Sequence, residues 1–301
     1  MQQQVKKIVK DGALKTHTRI KRTSHNVSAP VRTFLVALCL VLTGLDTVSA
    51  DELERRQAKR IHDRIAGVPP SKEVLDDMED AIVAKNPAGA AVMAMDNSAF
   101  YNVTLKNLAT PWTNEDQTLF APLNDYTATV IGMVRDNVPF NQLLSADLVY
   151  VGDPALGLPA YSISNNDHYE QLEAQGIDLQ SNLVDEKQSV AGTLPEDATA
   201  GVMTTRAAAE AFFIAGTNRA MFRFTMLNHL CNDMEQVKDT TLSPDRIRQD
   251  ISRSPGGDSR IFMNSCAGCH TGMDPMAQAF AYYDFDTGSN SLQFTPGVVQ
   301  A

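Results

Sequence analysis

Two cysteines and a histidine, Cys266, Cys269 and His270 in the string NSCAGCHTGMDP (264–275), constrain this chain more than any other feature. Thiols at i and i+3 lie on one side of a helical turn, where both can add to the two vinyl groups of one porphyrin. The imidazole that follows directly is then delivered beneath the iron. C-x-x-C alone would also suit a redox dithiol or half of a zinc site, but a histidine immediately after the second cysteine favours a single, covalently attached haem c. Zinc would need a second ligand pair. The nearest upstream candidates, His229 and Cys231, lie about 35 residues away with H-x-C spacing. Cys266 and Cys269 are therefore expected to bind the cofactor and His270 to ligate its metal.

A haem thioether of this kind is made outside the cytoplasm in bacteria, so the motif demands an export signal. The first 32 residues are basic and polar, Thr33 to Leu45 (TFLVALCLVLTGL) is mostly apolar, and Val48-Ser49-Ala50 places small residues before Asp51. These are the three regions of a secretory signal peptide. The apolar run is shorter than the ~20 residues that span a bilayer. Residues 1–50 are thus expected to be a signal peptide and the mature protein to be periplasmic or at the cell surface, without a membrane span. An uncleaved N-terminal anchor is the alternative, because the basic region is long. Lipid attachment at Cys39 is disfavoured by the bulk of Leu38.

The first 50 residues hold eight of the 26 basic and two of the 36 acidic residues, so the remainder carries 18 against 34, a net charge of −16. An exported chain this acidic is a poor match for nucleic acid or anionic lipid, and it favours a basic redox protein as partner. Its oligomeric state is left open by the sequence. About 250 residues remain to bury a core, as one large domain or two smaller ones.

Hydrophobic spacing predicts an all-α, irregular helical protein with a C-terminal haem segment. Residues 51–150 read as helical: Asp51–Ala66, a helix capped by Ser71, a helix over Tyr101–Leu108, and a pattern over Asp125–Leu148 that Pro139 breaks into two helices. Residues 151–200 are rich in Gly, Pro, Asn and Ser and read as a long ordered loop or a linker. Residues 201–301 read as the helical haem domain, with a helix pair over Arg206–Cys231 parted at Gly216-Thr217 and a further helix after Ser243-Pro244-Asp245 that Ser254-Pro255-Gly256-Gly257 ends. A short helix over Asp258–Asn264 leads into the motif. Only 31 residues follow His270, and one reading is that this domain is cut short at its C-terminus.

The sixth iron ligand is open. His229, on an apolar helix, is one candidate; Met221 and Met226 on the same helix are others, and a surface or capping histidine is the plainer reading of His229. Phe262, Met273, Met276, Phe280 and Tyr282 are expected to exclude water from the haem. Cys231, in an apolar stretch, reads as a buried thiol. Asp284 to Asn290 has the alternating oxygens of a calcium loop, but its glycine is misplaced and no glutamate closes it, so it reads as a turn.

The string CAGCHTGMDPMAQAFAYYDFD (266–286) resembles the haem-bearing C-terminal segment of the planctomycete-type cytochrome c domain proteins. The likeness rests on Cys266 to His270, on Met273-Asp274-Pro275, and on Phe285-Asp286 with Gly288 nearby; AGVPPSKEVLDDM (66–78) and RDNVPFNQLLSADLV (135–149) are weaker echoes. The resemblance implies an exported, mostly helical, monohaem protein attached through Cys266 and Cys269 and ligated by His270. Members of that group commonly continue beyond the point where this chain stops.

The function expected from these features is single-electron transfer between redox partners, with no catalytic residues assigned. Two alternatives stand beside it. One is a haem enzyme with an open iron site, peroxidase-like or oxygen-handling; the other is a surface binding module, built by residues 51–255, in which the haem is subsidiary.

Overall fold

Charged helix formers followed by Gly67 and a proline pair give the first helix, α1 (Ala50–Ile65). A computed structural model describes residues 50–213, 219–242 and 259–298. Ser71 caps α2 (Lys72–Val83), its hydroxyl accepting a hydrogen bond from the Val74 N–H at 3.3 Å. Asn86 caps α3 (Pro87–Met95) in the same way. The three helices share a small core of Ala58, Met78, Ile82, Ala90 and Ala94, flanked by Ile61, Ile65 and Val74.

The larger core is organised around α5 (Asp125–Arg135), every residue of which is buried from Asp125 to Met133. Leading into it are a π-helical turn at Phe100–Leu105, a short α4 (Lys106–Ala109) and a 3-10 turn at Thr110–Thr113. The helix stops at Arg135, before Pro139, because Asn137 takes the left-handed conformation at φ +52°. Beyond it the chain forms only a 3-10 turn at Phe140–Gln142 and then strand β1 (Val149–Gly152), where a second helix was expected. Val149, Tyr150 and Val151 are β-branched or aromatic, and antiparallel pairing with β2 (Leu183–Glu186) buries all three.

Residues 151–200 are an ordered layer. They carry α6 (Asp167–Ala174), α7 (Leu179–Asn182), β2 and α8 (Gln188–Ala191). Their Tyr169, Leu172, Leu179, Leu183, Leu194 and Ala198 are buried in the same cluster as Tyr126, Ile131, Phe212 and Met221, so one core runs from Tyr101 to Leu292. The described residues from Asp51 onward belong to one compact unit.

The C-terminal part contributes α9 (Arg206–Phe212), capped by Thr205, then α10 (Arg219–Leu230) and α11 (Met234–Val237). It closes with α12 (Ser259–Ile261), a π-helical turn at Phe262–Cys266, α13 (Ala267–Ala277) and a hairpin of β3 (Tyr283–Asp286) with β4 (Ser291–Phe294). Two small antiparallel sheets thus correct the all-α expectation to a helix-rich protein that is not purely α. The expected signal peptide, the parting of the helix pair at Gly216-Thr217, and the expected helix after Ser243 lie outside the described residues. Among the described residues, no helix is long and apolar enough to cross a membrane.

Candidate functional site

The C-x-x-C-H motif sits where a π-helical turn becomes an α-helix. Cys266 ends the turn, and Cys269 and His270 lie in the first turn of α13. A π-turn inserts an extra residue into the helical register, a device common at functional positions. The two intervening residues face protein: Ala267 is buried, and a Cβ added to Gly268 would stand 2.9 Å from Thr240 Cγ2. Gly268 also accepts a hydrogen bond from the Asp239 N–H at 2.9 Å. Close approach of residues 239–240 therefore explains a glycine within the motif.

Cys266 and Cys269 are half-buried and form no disulfide. Cys269 Sγ lies 3.7 Å from the Met234 carbonyl oxygen, on α11. Burial pushes the Cys269 thiol up from its ordinary value, and the Glu235 carboxylate pushes the same way.

His270 is held from behind. Its Nδ1 lies 3.0 Å from Oδ1 of Asp274, one helical turn on, where i and i+4 side chains meet. The Asp274 side chain is fully buried, and Arg219 grips it with both ends of its guanidinium, Nε to Oδ1 at 2.8 Å and Nη2 to Oδ2 at 2.9 Å. Arg219 is the first residue of α10, so the ion pair ties α13 to the helix packed against it. The Phe262 ring stands 5.2 Å from the His270 ring.

This arrangement fits a porphyrin. Two accessible thiols stand one helical turn apart, and the carboxylate at Nδ1 leaves Nε2 of the adjacent imidazole for a metal. Ile261, Met263 and Met276 are 44%, 49% and 58% exposed around the motif, apolar surface of the kind a bound cofactor covers. Among the described residues, no group of three or more His, Cys, Asp or Glu converges on a common metal position.

Of the residues expected to seal the haem, Phe262 and Met273 are buried beside the motif. Met276 and Tyr282 are exposed, and Phe280 packs instead on Phe213 and Tyr283 in the main core. His229 is half-buried and already engaged. Its Nε2 is hydrogen-bonded to the Tyr126 hydroxyl at 2.7 Å, and its ring meets Trp112 edge to face at 5.6 Å. Burial lowers its pKa to about 4. Met221 is wholly buried in the main core, while Met226 lies two turns along α10 on the face that carries Arg219.

Cys231 is exposed, not buried as the apolar stretch suggested, because α10 ends at Leu230 and Cys231 turns out of it at φ +55°. Of the Asp284–Asn290 segment, Asp284 to Asp286 end β3 and Thr287 to Asn290 form the hairpin turn. Asp286 spends its carboxylate on the N–H groups of Gly288 and Ser289 and on the Ser289 hydroxyl.

Asp274 and Arg219 were not singled out by the sequence as functional. Asp274 had a signal, its i+4 distance from His270. Arg219 had none, because its partner lies 55 residues away. Comparison of the chain with protein-family models, curated proteins and solved structures gave no match.

Proposed function

We propose that this protein is an exported monohaem c-type cytochrome that passes single electrons between redox partners. The observation that supports it best is the pairing of two unbridged thiols, Cys266 and Cys269, with an imidazole, His270, whose Nδ1 is already engaged by a buried carboxylate. When bound, haem c supplies a one-electron iron couple. The chain's part is to anchor it through Cys266 and Cys269, to ligate it through His270, and to keep water away with Phe262 and Met273. The acidic balance beyond residue 50 would draw a basic partner at rates that fall with salt.

The test is production of the full chain in a bacterial periplasm together with haem-maturation machinery. The expected product carries one haem that survives denaturing electrophoresis, and replacing Cys266 and Cys269 together by alanine removes it. Absence of covalent haem from the unaltered protein overturns the proposal.

The hydrogen bond between Tyr126 and His229 favours a second reading, because it engages one of the sixth-ligand candidates with another side chain. That reading is a haem enzyme with an open iron position. A low-spin ferric spectrum with rapid electron exchange supports the carrier; a high-spin spectrum with peroxide or oxygen turnover supports the enzyme.

A further inference from the structure

We infer that Asp274 and Arg219 are positioning residues that set the reduction potential of the site, an inference that rests on the haem reading above. Asp274 Oδ1 stands at 3.0 Å from His270 Nδ1 and at 2.8 Å from Arg219 Nε, so one carboxylate oxygen links the imidazole to the guanidinium. The second oxygen is held by Arg219 Nη2 at 2.9 Å, which makes the grip bidentate and fixes the plane of the carboxylate. The Asp274 side chain has no exposure, and those of Arg219 and His270 are 19% and 22% exposed. Water therefore competes little for these contacts.

Three consequences follow for the imidazole. The acceptor at Nδ1 selects the tautomer with its proton there and its lone pair on Nε2. The fixed carboxylate plane sets the orientation of the ring. The negative oxygen behind the ring makes it a stronger electron donor to any metal at Nε2, which favours the more oxidised metal and lowers the potential. Arg219 acts through Asp274 alone: it holds the carboxylate in place and moderates its charge. A neutral backbone carbonyl at Nδ1 would fix the tautomer equally well but would push less charge onto the ring. The choice of a clamped carboxylate is what points to tuning.

The experiment compares the haem-loaded protein with Asp274→Asn, Arg219→Gln, Arg219→Lys and a control, Arg223→Gln. The control breaks the more exposed ion pair between Arg223, which lies on the same helix as Arg219, and Asp233, which caps the next helix. Midpoint potential is read by spectroelectrochemical titration and ring orientation by the ferric electron paramagnetic resonance spectrum. The expected result is retained covalent haem, a midpoint shifted upward in Asp274→Asn, and a broadened spectrum in both Asp274→Asn and Arg219→Gln. Arg219→Lys keeps the charge but loses the fork, and its spectrum should lie between those of the parent and Arg219→Gln. Arg223→Gln should match the parent. Should Asp274→Asn fail to fold, the two Arg219 variants carry the spectral test. Haem-loaded variants indistinguishable from the parent overturn this inference and leave the cytochrome reading standing. A parent protein that takes up no haem overturns both.

Discussion

The hydroxyl of Tyr126, in the first turn of the most deeply buried helix, lies 2.7 Å from Nε2 of His229 on α10. This contact takes a half-buried histidine that would otherwise be a candidate metal ligand and engages it with a tyrosine of the core. Replacing His229 by alanine should therefore leave the visible spectrum of the haem-loaded protein unchanged. It should cost about 1–3 kcal/mol of stability, from a lost hydrogen bond and a small cavity, measurable by urea unfolding. A change of spin state in this variant would show that His229 reaches the iron.

The same burial gives a pH dependence. Burial depresses the His229 pKa to about 4, against an ordinary value of 6.5. As the pH falls through 6.5 the unfolded chain takes up a proton at His229 and the folded one does not, so the folded state binds fewer protons in this window. The stabilisation is complete above pH 6.5 and is lost progressively down to about pH 4. At roughly 1.4 kcal/mol per unit, less a discount for partial exposure, the loss is about 2–3 kcal/mol. Unfolding midpoints between pH 7.5 and 4 should fall more steeply for the parent than for His229→Gln.

Gly201 and Gly157 both have positive φ, +56° and +66°, yet they should respond differently to alanine. A Cβ at Gly201 would stand 2.0 Å from the Leu143 carbonyl oxygen, while at Gly157 nothing lies within 4 Å. That oxygen cannot retreat easily, because it accepts a hydrogen bond from the Val202 N–H at 2.9 Å. Gly157→Ala should cost about 1 kcal/mol, the backbone strain alone. Gly201→Ala should cost about 2–4 kcal/mol, with steric overlap added. Thermal unfolding of the two single variants gives the comparison.

Asp125 joins two parts of the core. It is fully buried, and its carboxylate accepts the N–H of Arg206 at 2.6 Å, the N–H of Ala207 at 3.1 Å and the Tyr161 hydroxyl at 3.3 Å. Desolvation raises its pKa, against the lowering effect of backbone N–H donors from Ala207, Arg206 and Tyr126. Asp125→Ala would leave those N–H groups buried without the carboxylate and should cost about 3–5 kcal/mol. Asp125→Asn keeps an acceptor oxygen and should cost less. Equal losses in chemical denaturation would mean that the charge matters more than the acceptor.

Cys231 should react with an aromatic disulfide reagent in the native protein within minutes, since it is exposed and unpaired. In haem-loaded protein from which residues 1–50 have been removed it should be the one titratable thiol per chain. Reaction only after denaturant would restore the buried assignment.

Several elements were legible because their cause is local. The cap at Ser71, the helix over Lys72–Val83 and the turn at Asp286–Ser289 follow from side chains bonding backbone a few residues away. The early end of α5 was misread, because Pro139 drew the boundary two residues past Asn137, whose short amide side chain tolerates the left-handed conformation that stops the helix. β1 was misread too, since its pairing with β2 joins residues more than 30 apart, beyond any periodicity. The Gly- and Pro-rich segment read as an ordered loop or a linker because turns dominate it, while its Tyr169 and Leu172 pack into the main core.

For the candidate site, the sequence by itself determined the pairing of two thiols with an adjacent imidazole, because a helical turn brings i, i+3 and i+4 together without help from the rest of the chain. Only the tertiary structure decided what stands behind the imidazole and what becomes of His229. Arg219 reaches Asp274 across 55 residues, and Tyr126 reaches His229 across 103. Those partners are chosen by how α10 packs on α13 and on the core. A buried polar group must find a partner from whatever the packing brings near it, and that choice is made in three dimensions.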